Sequence, residues 1–502
     1  MHNSILLILS ALFSSLSFFV HQPAQKAVGH CTQTSGIKPL PLKDTLEVAT
    51  KLPDRTCDCH RAFEDLVRKM EENYIGYKKL RKSGGLVDYR RTKEKYKRIT
   101  QALPAVKCTR ALQQFLDQFE DGHLFVYEEP EYTLNEKKLL GWWSDENRKS
   151  GEYLNKKLQE KDNSGMIGKW TDGHYQIFII REGDVFNAYS ARDSDTLSQG
   201  TLLAQLIKTD KGYEGFLNNY DLEPRYVKAN LYKEKTLLHL GGVHYWARME
   251  DGPERELEMI DYSNILAPTI TSLNEETTLF SIPSFLVDPE QMRDLLMSNV
   301  DKLTDSKNLI IDIRGNTGGN AIYFMFTDIY VTNDLLPSQG KVLASPATLK
   351  YYKRLAGNSR SPIYTPLIER IKKHLGEIVG GPAYQGKKAN PYPSQIENVA
   401  ILTDEACASA AESFILHSKK MSKKVTIFGS PTAGVIDYTS VNILKLDSGN
   451  QHIWFGYPTS TLPEIYYMDG SKGAYNKSGI LPDVSIPDSV RDKVGFVLKY
   501  YD

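Results

Sequence analysis

The sequence lacks an excess of charge of either sign and, beyond its first residues, any long hydrophobic run. The chain of 502 residues has 62 Lys and Arg against 62 Asp and Glu, for a formal net charge of +0. Such a balance argues against nucleic acid or an anionic membrane surface as the main partner. Because 41% of the residues are hydrophobic, the chain can bury sizeable cores, and its length predicts roughly two or three domains. It contains no internal repeat and no low-complexity tract.

The extended apolar stretch that the chain does have lies at its N-terminus, over residues 5–20. It is shorter than a typical transmembrane span, and its position is typical of a secretory signal peptide, which we place at residues 1–27. The residues before it include no Lys or Arg, and no clean cleavage site follows, so an uncleaved anchor is the alternative. We expect an exported protein, periplasmic or extracellular, with no integral membrane span after signal removal.

Cysteine is scarce, with five in the whole chain. An exported chain can form disulfides, and Cys108 with either Cys57 or Cys59 is a candidate pair that sequence alone does not resolve. The run Cys57-Asp-Cys59-His60 has no second ligand pair at zinc spacing. We therefore expect no metal site there. Cys407 lies in an apolar context and is interpreted as a buried structural thiol.

The pattern of apolar residues divides the chain into three regions. Residues 28–135 show helical spacing and predict an N-terminal helical domain. Residues 150–265 contain short β-prone runs separated by Gly, Asp and Asn, which indicates a small antiparallel barrel or sandwich. Residues 270–502 alternate strand and helix and predict an α/β core. An insertion at residues 333–395 is interpreted as a lid, a substrate-gripping arm or decoration.

Local signals assign several elements inside the α/β core. Residues 308–313 are a buried strand, and Ala321 to Tyr330 predict a helix. Leu367 to Val379 predict one helix inside the insertion. Further strands of the same core are expected at residues 399–402, 425–428, 441–446 and 453–456.

One serine of this core stands at a predicted strand-to-helix junction. Residues 398–402 form an apolar β-prone run, residues 410–419 predict a helix, and Ser409 lies between them among small residues. Small neighbours allow a substrate backbone to approach, and amides at a helix start can face developing negative charge. The alternative is an ordinary N-cap, which is the commoner role of a serine before a helix.

Three stretches of the α/β region carry a recognisable pattern. They are Leu309-Ile-Ile-Asp-Ile-Arg-Gly-Asn-Thr-Gly-Gly319, Ser409-Ala-Ala-Glu412 followed by Gly429-Ser-Pro-Thr-Ala-Gly434, and Ser478-Gly-Ile-Leu-Pro-Asp483. Together they resemble the tail-specific, or C-terminal-processing, serine peptidase family. The resemblance covers residues from about 277 to the C-terminus and extends back to His123. It implies a crotonase/ClpP-like protease core and a serine-type endopeptidase that hydrolyses peptide bonds of a polypeptide substrate.

The resemblance also implies roles for single residues. Ser409 would be the nucleophile, and the amide of Ala410 with a glycine amide from Gly318 or Gly319 would form the oxyanion hole. Glycine suits this role because its backbone N–H can face a ligand without obstruction by a Cβ. Glu412 follows the serine by three residues, as in the family. It is expected to be an exposed helix carboxylate or, at most, a supporting group.

One position departs from the branch of the family that uses a serine–lysine dyad. That branch has a lysine directly after the glycine at the Gly434 position, where this sequence has Val435. Valine cannot accept a proton, so another base is needed. The branch similar to the tricorn core protease and the photoreceptor retinoid-binding protein uses a histidine from an N-terminal corner. Asp121-Gly122-His123 fits that place, between a predicted helix and a predicted strand.

An identical tripeptide, Asp172-Gly173-His174, competes with this assignment. It lies in a predicted hairpin, where Asp-Gly is an ordinary turn signal, so His123 is preferred as the base. In the histidine branch a glutamate near the C-terminal motif orients the machinery, and here Asn476 stands nearest to that place. Asp469 and Asp437 are the nearest acids that could orient His123, and the sequence does not choose between them.

Two functions remain open on these grounds. The first is an exported serine-type peptidase with Ser409 and His123 at its centre, which requires no metal and no organic cofactor. The alternative is a catalytically inactive peptide- or ligand-binding homologue of the same fold, because the lysine is missing and the acid is unassigned. A crotonase-type acyl-CoA enzyme would share the oxyanion geometry, but the sequence has no nucleotide-like motif. The oligomeric state and the cleavage specificity are not indicated.

Overall fold

The structure is a computed structural model. The signal peptide prediction, Cys57 and Asp469 lie outside the residues that it describes. The described residues are 59–103, 107–129, 131–132, 134–160, 162–194, 197–210, 212–218, 224–233, 235–240, 244–249, 266–359, 362–449, 452–467 and 475–501.

Helices dominate the N-terminal region and flank the sheets elsewhere. Every helix in the described part of the chain is too short or too polar to span a bilayer. Short 3-10 helices lie at Asp117–Phe119, Ile322–Met325, Thr327–Ile329 and Glu464–Tyr466. The α-helices are Cys59–Asn73, Ile75–Ser83, Leu86–Gln101, Cys108–Leu116, Leu134–Glu146, Gly151–Leu158, Pro289–Ser298, Val300–Asp305, Pro346–Ser359, Tyr364–Lys373, Ala410–Met421, Tyr475–Ser478 and Lys493–Tyr501.

The strands form three separate sheets. In chain order they are β1 (Phe125–Glu128), β2 (Gly168–Thr171), β3 (Gln176–Glu182), β4 (Val185–Ser190), β5 (Leu202–Thr209), β6 (Gly212–Asn218), β7 (Pro224–Tyr232), β8 (Leu237–Leu240), β9 (His244–Arg248), β10 (Thr269–Ser272), β11 (Thr277–Ser281), β12 (Asn308–Asp312), β13 (Ser338–Leu343), β14 (Ile378–Tyr384), β15 (Asn398–Thr403), β16 (Val425–Gly429), β17 (Tyr438–Lys445), β18 (Ile453–Thr461) and β19 (Val484–Ser485).

The first sheet is the α/β core, with strand order β10-β11-β12-β15-β16-β19. Neighbours from β11 to β19 are parallel, and β10 is antiparallel to β11. Every residue of β12 is buried because both faces of the sheet are covered. Phe414 and Ile415 of the helix after β15 pack in the main apolar cluster of this region, and Val497 of the last helix packs in a second cluster.

The second sheet differs from the prediction, because β17 and β18 do not join the α/β core. They form an antiparallel hairpin, and β18 pairs with β1 from the N-terminal region and with β13 from residues 333–395. The pattern of apolar residues predicts that a segment is a strand but does not show which strand it pairs with, so the separate sheet was not predicted. The pairing of β1 with β18 carries the N-terminal region to the core.

Two predicted helices also need correction. Residues 322–329 form two 3-10 turns instead of a helix from Ala321 to Tyr330, in a stretch rich in aromatic and β-branched residues of modest helix propensity. The helix predicted from Leu367 to Val379 ends at Lys373 instead. Gly376 then adopts a left-handed φ of 86°, and β14 begins at Ile378.

Strands β2 to β9 form the third sheet, which closes into a barrel. Each strand is antiparallel to the next, and β2 closes the ring on β9, with Trp170 opposite Arg248. Trp170 and its inward neighbours fill an apolar core. The sequence had left a barrel and a sandwich open, and the structure has the barrel.

The N-terminal helices pack on the second sheet. Phe63 and Phe115 share one apolar cluster with Phe455 and Tyr457 of β18, and the rings of Phe63 and Phe115 meet edge to face, with centroids 5.0 Å apart. A disulfide joins Cys59 to Cys108, which resolves the pairing that the sequence left open. The helix Cys108–Leu116 is followed by the 3-10 helix Asp117–Phe119, and His123 comes four residues later, just before β1.

Candidate active site

Two loops that follow neighbouring parallel strands meet at the candidate site. Asp312 at the end of β12 pairs with Leu402 near the end of β15. Because the carboxyl ends of parallel strands lie at the same edge of a sheet, the loop Gly315–Gly319 and the segment before Ser409 come together there. The Ala408 amide donates to the Asn316 carbonyl at 3.2 Å, which fixes one loop against the other.

Ser409 does not have the backbone of an ordinary N-cap. It precedes the helix Ala410–Met421, with φ 56° and ψ −113°, whereas a typical cap residue is extended. A non-glycine residue at such a positive φ is strained, by about 1–3 kcal/mol, and persists only where its surroundings hold it. A strained turn between a strand and a helix is known to present a nucleophilic serine in other hydrolases.

His123 contacts the hydroxyl of Ser409. The distance from His123 Nε2 to Ser409 Oγ is 3.0 Å, although the two residues are 286 positions apart. The other ring nitrogen, Nδ1, lies 2.7 Å from the carbonyl oxygen of Tyr438. A carbonyl only accepts, so Nδ1 carries the proton and Nε2 is free to accept the hydrogen of Ser409.

The second sheet positions His123 next to Ser409. The residue stands just before β1, and in β1 Phe125 pairs with Gly456 of β18. On its other side Gly456 pairs with Ile443 of β17, and Tyr438 is the first residue of β17. The imidazole and the carbonyl that orients it are therefore held by strands of one sheet.

The environment of His123 favours the neutral imidazole. The residue is 8% exposed, and burial lowers the pKa of His123 from its ordinary 6.5 to about 4, with the Tyr438 carbonyl opposing the shift. At neutral pH the ring is therefore an unprotonated base.

No carboxylate in the described part of the chain takes the place of Tyr438 on the imidazole. Asp121 accepts the His123 backbone amide at 2.9 Å and the Tyr74 hydroxyl at 2.8 Å. Burial raises the pKa of Asp121 to about 6. Asp437, one of the acids that the sequence offered, accepts the Asn476 amide at 3.0 Å instead of bonding to the ring.

The expectation that Glu412 is an exposed carboxylate is wrong, because the residue is fully buried. Its two oxygens accept the amide of Ser409, the hydroxyl of Thr432 and the amides of Gly434 and Val435. Burial raises the pKa of Glu412 to about 7, and these donors oppose the rise. The carboxylate thus ties the serine backbone to the loop that follows β16.

Of the two glycines predicted for the oxyanion hole, Gly318 lies against Ser409, whereas Gly319 lies against Phe285 and Leu286. Gly318 and Gly319 have φ of 104° and 132°, which side chains rarely adopt. A Cβ on Gly318 would lie 2.9 Å from both Ser409 Cβ and the Ala410 nitrogen. The Gly318 amide already donates to Asn316 Oδ1 at 2.9 Å. Among the described residues, the amides of Gly319 and Ala410 donate to no other backbone group.

Sequence reasoning gave no role to Asn316 and Asp404, which shape this loop. Asn316 is fully buried, and its Nδ2 donates to the Ile282 carbonyl at 2.9 Å. Asp404 accepts the Gly315 amide at 2.9 and 3.0 Å and the Ala406 amide at 3.1 Å. Both are polar residues shortly after a buried strand, a signal that could have marked them.

The competing sequence candidates lie elsewhere or are inert. His174 is exposed in the turn between β2 and β3, where Asp172 Oδ1 accepts its amide at 2.9 Å. Cys407 is buried, its thiol donates to the Ile313 carbonyl at 3.1 Å, and burial raises its thiol pKa. Within the described ranges, no three His, Cys, Asp or Glu side chains cluster as metal ligands would.

Residues 276–486 match the family model of peptidase family S41. The S41 region contains Ser409, Glu412 and the Gly315–Gly319 loop, whereas His123 lies outside it. The match supports the serine peptidase family that the sequence resembles. The narrower likeness to the retinoid-binding branch and the crotonase/ClpP-like type of the core stay predictions.

Several solved structures are similar to the chain at low identity. Mature CPAF complexed with lactacystin is 12% identical, with 89% of this chain and 98% of that chain covered and a TM-score of 0.45. The photosystem II D1 C-terminal processing protease is 13% identical, with coverage of 86% and 94% and a TM-score of 0.37. The tricorn protease is 12% identical, with coverage of 88% and 36% and a TM-score of 0.41. Scores of this size add nothing to the family match.

Proposed function

We propose that the protein is a serine-type peptidase of family S41, with Ser409 as nucleophile and His123 as general base. The observation that carries the proposal is the 3.0 Å contact between His123 Nε2 and Ser409 Oγ, with Nδ1 held by the Tyr438 carbonyl. A nucleophile and a base in hydrogen-bond reach, with the base oriented by a third group, are the requirements of nucleophilic catalysis. Here the third group is a backbone carbonyl.

In the acylation half of the reaction, Ser409 Oγ attacks the carbonyl carbon of the scissile peptide bond. Its proton moves to His123 Nε2, and the negative charge goes to the substrate oxygen. The amides of Ala410 and Gly319 receive this oxyanion, since the Gly318 amide is occupied by Asn316. His123 then gives its proton to the leaving amine, the C–N bond breaks, and an acyl-enzyme remains on Ser409.

Deacylation repeats these steps with water. His123 takes a proton from the water, whose oxygen attacks the ester carbon. The same two amides hold the second oxyanion, and the proton returns to Ser409 Oγ as the acid product leaves. No step needs a metal ion or an organic cofactor.

This proposal excludes a serine–lysine dyad. Val435 stands where the dyad would place its lysine, and it binds Glu412 through its backbone amide. Among the described residues, no lysine hydrogen-bonds to Ser409. Export is also part of the proposal, because the Cys59–Cys108 disulfide favours an oxidising compartment.

The test combines turnover with labelling. Purified protein is incubated with casein or peptide substrates and, in parallel, with a fluorophosphonate whose attachment site is mapped by mass spectrometry. We expect cleavage and a label on Ser409, and neither in Ser409→Ala. Cleavage that survives Ser409→Ala removes this serine from the mechanism. A folded protein that neither cleaves nor labels contradicts the peptidase.

A further inference from the structure

One rim of the barrel lies against the Gly315–Gly319 loop. The Tyr245 hydroxyl of β9 hydrogen-bonds to Thr317 Oγ1 in the middle of this loop. Leu237 of β8 packs beside Gly315, where an added Cβ would lie 2.7 Å from Leu237 Cδ2. These contacts join two regions that are far apart in the sequence. They place the barrel against the loop whose Gly318 lies next to Ser409.

A third contact acts through Asp404. The Lys233 amide, which directly follows β7, donates to Asp404 Oδ2 at 3.3 Å. The same carboxylate accepts the Gly315 amide, at 2.9 and 3.0 Å. Asp404 is 3% exposed, so it is a buried junction between the barrel and the start of the loop.

Tyr245 is itself rigidly held. It is 5% exposed and pairs across the sheet with His239, whose ring centroid lies 4.7 Å from its own. A buried aromatic ring on a paired strand has few alternative rotamers. The hydroxyl therefore offers Thr317 a fixed anchor.

The loop needs such an anchor because of its composition. Gly318 and Gly319 both have positive φ, and glycine gains more conformational freedom than any other residue when a restraint is removed. Thr317 is the residue directly before them and is held by Tyr245. Asn316, on its other side, fixes the Gly318 amide.

We propose that Tyr245 is a positioning residue that holds the oxyanion loop through Thr317, so that the barrel sets the geometry of the site. This rests on the proposed peptidase function for its kinetic consequence. The loop geometry itself is independent of that function. Tyr245 does not touch the reacting atoms, and its loss displaces the Gly319 amide from the developing oxyanion. The predicted effect therefore falls on the transition state.

The kinetic test compares Tyr245→Phe and Thr317→Val with the double variant. Each single change removes one hydroxyl from the same hydrogen bond, so kcat is expected to fall about three- to tenfold with KM unchanged. The double variant is expected to lose no more than either single variant. Tyr189→Phe is the matched control, since Tyr189 is a buried barrel tyrosine whose hydroxyl donates to Glu182 at 3.0 Å. It is expected to keep the wild-type kcat.

A rise in KM alone, or additive losses in the double variant, overturns the proposal. Because Thr317→Val alters the loop and not the barrel, it decides the matter even if Tyr245→Phe does not fold.

Hydrogen exchange of the segment 313–320 tests the positioning without catalysis. Faster exchange of this segment in Tyr245→Phe and Thr317→Val, but not in Tyr189→Phe, supports the proposal. Equal exchange in all variants overturns it. Should the wild type show neither cleavage nor labelling, the peptidase function fails, and exchange alone decides whether Tyr245 holds the loop.

Discussion

The Cα of Gly122 lies against the isopropyl group of Val435, so that a Cβ on Gly122 would be 2.7 Å from Val435 Cγ2 and 3.0 Å from Cγ1. In the serine–lysine branch that the sequence resembles, the base would be expected at the place of Val435. Here its side chain supports the corner that carries His123, and its amide binds Glu412. Val435 thus helps to shape the corner that carries the proposed base, His123.

Gly122→Ala is expected to reduce peptidase activity by about 100-fold, because the new methyl group must push the His123 corner away from Ser409. Gly122 does not have a left-handed φ, so alanine suits the backbone and the effect is purely steric. The measurement is kcat/KM on a peptide substrate. The double variant Gly122→Ala, Val435→Ala removes the opposing methyl groups and is expected to recover most of the activity. No recovery would show that another contact limits the corner.

His123→Ala is expected to lower kcat/KM by about 10²–10⁴-fold, the contribution of a general base. The chain supplies its own control in His174, which follows an identical Asp-Gly pair but lies exposed in a barrel turn. His174→Ala should stay within twofold, roughly, of the wild type. Equal losses in the two variants would contradict the assignment of the base.

The meeting of the two loops could be predicted from the sequence. Short apolar runs predict buried parallel strands. The residues that follow neighbouring parallel strands lie at the same edge of the sheet. Residues 308–313 and 398–402 are such runs, but the expectation that Gly318, Gly319 and Ser409 share one site came from the resemblance to a family. The resemblance to a family then pointed to His123.

The groups that hold these residues could not be predicted in the same way. The Tyr438 carbonyl contacts His123 because β1 pairs with β18, more than 300 positions away in the chain. Every residue has a backbone carbonyl, so the sequence does not indicate which one will bind the histidine. The sequence around Glu412 predicts an exposed helix residue, because the donors that bind its carboxylate come from a distant loop at residues 432–435. The pairing of distant strands and the hydrogen bonds of buried polar groups both depend on the tertiary structure, so local sequence patterns do not predict them.

Glu412→Ala is expected to lower stability by about 3 kcal/mol, because it leaves two buried and two partly buried donors near Ser409 without their acceptor. The urea unfolding midpoint and the peptidase activity should both fall. Glu405→Ala is the matched control, an exposed glutamate on the same segment, with an expected change within about 0.5 kcal/mol. If Glu412→Ala unfolded at the wild-type midpoint, the carboxylate would not be structural.

The acid limb of the pH profile is expected near pH 4, which is below the limb of an ordinary histidine. Burial lowers the pKa of His123 to about 4, so the unprotonated base that the reaction needs persists well into the acidic range. The logarithm of kcat/KM, which reports the free enzyme, should be flat from neutral pH downward and turn near this value. Buffers of constant ionic strength and a peptide without titratable groups make the measurement clean.

Glu412 gives the competing outcome, since burial raises its pKa to about 7. A protonated carboxyl keeps acceptor capacity toward the Ser409 and Val435 amides, so we expect its protonation to have little effect on the rate. A limb near pH 7 would contradict this and place the titration that controls activity on Glu412. The rate of fluorophosphonate labelling of Ser409 against pH separates the effect on the serine from any effect on substrate binding.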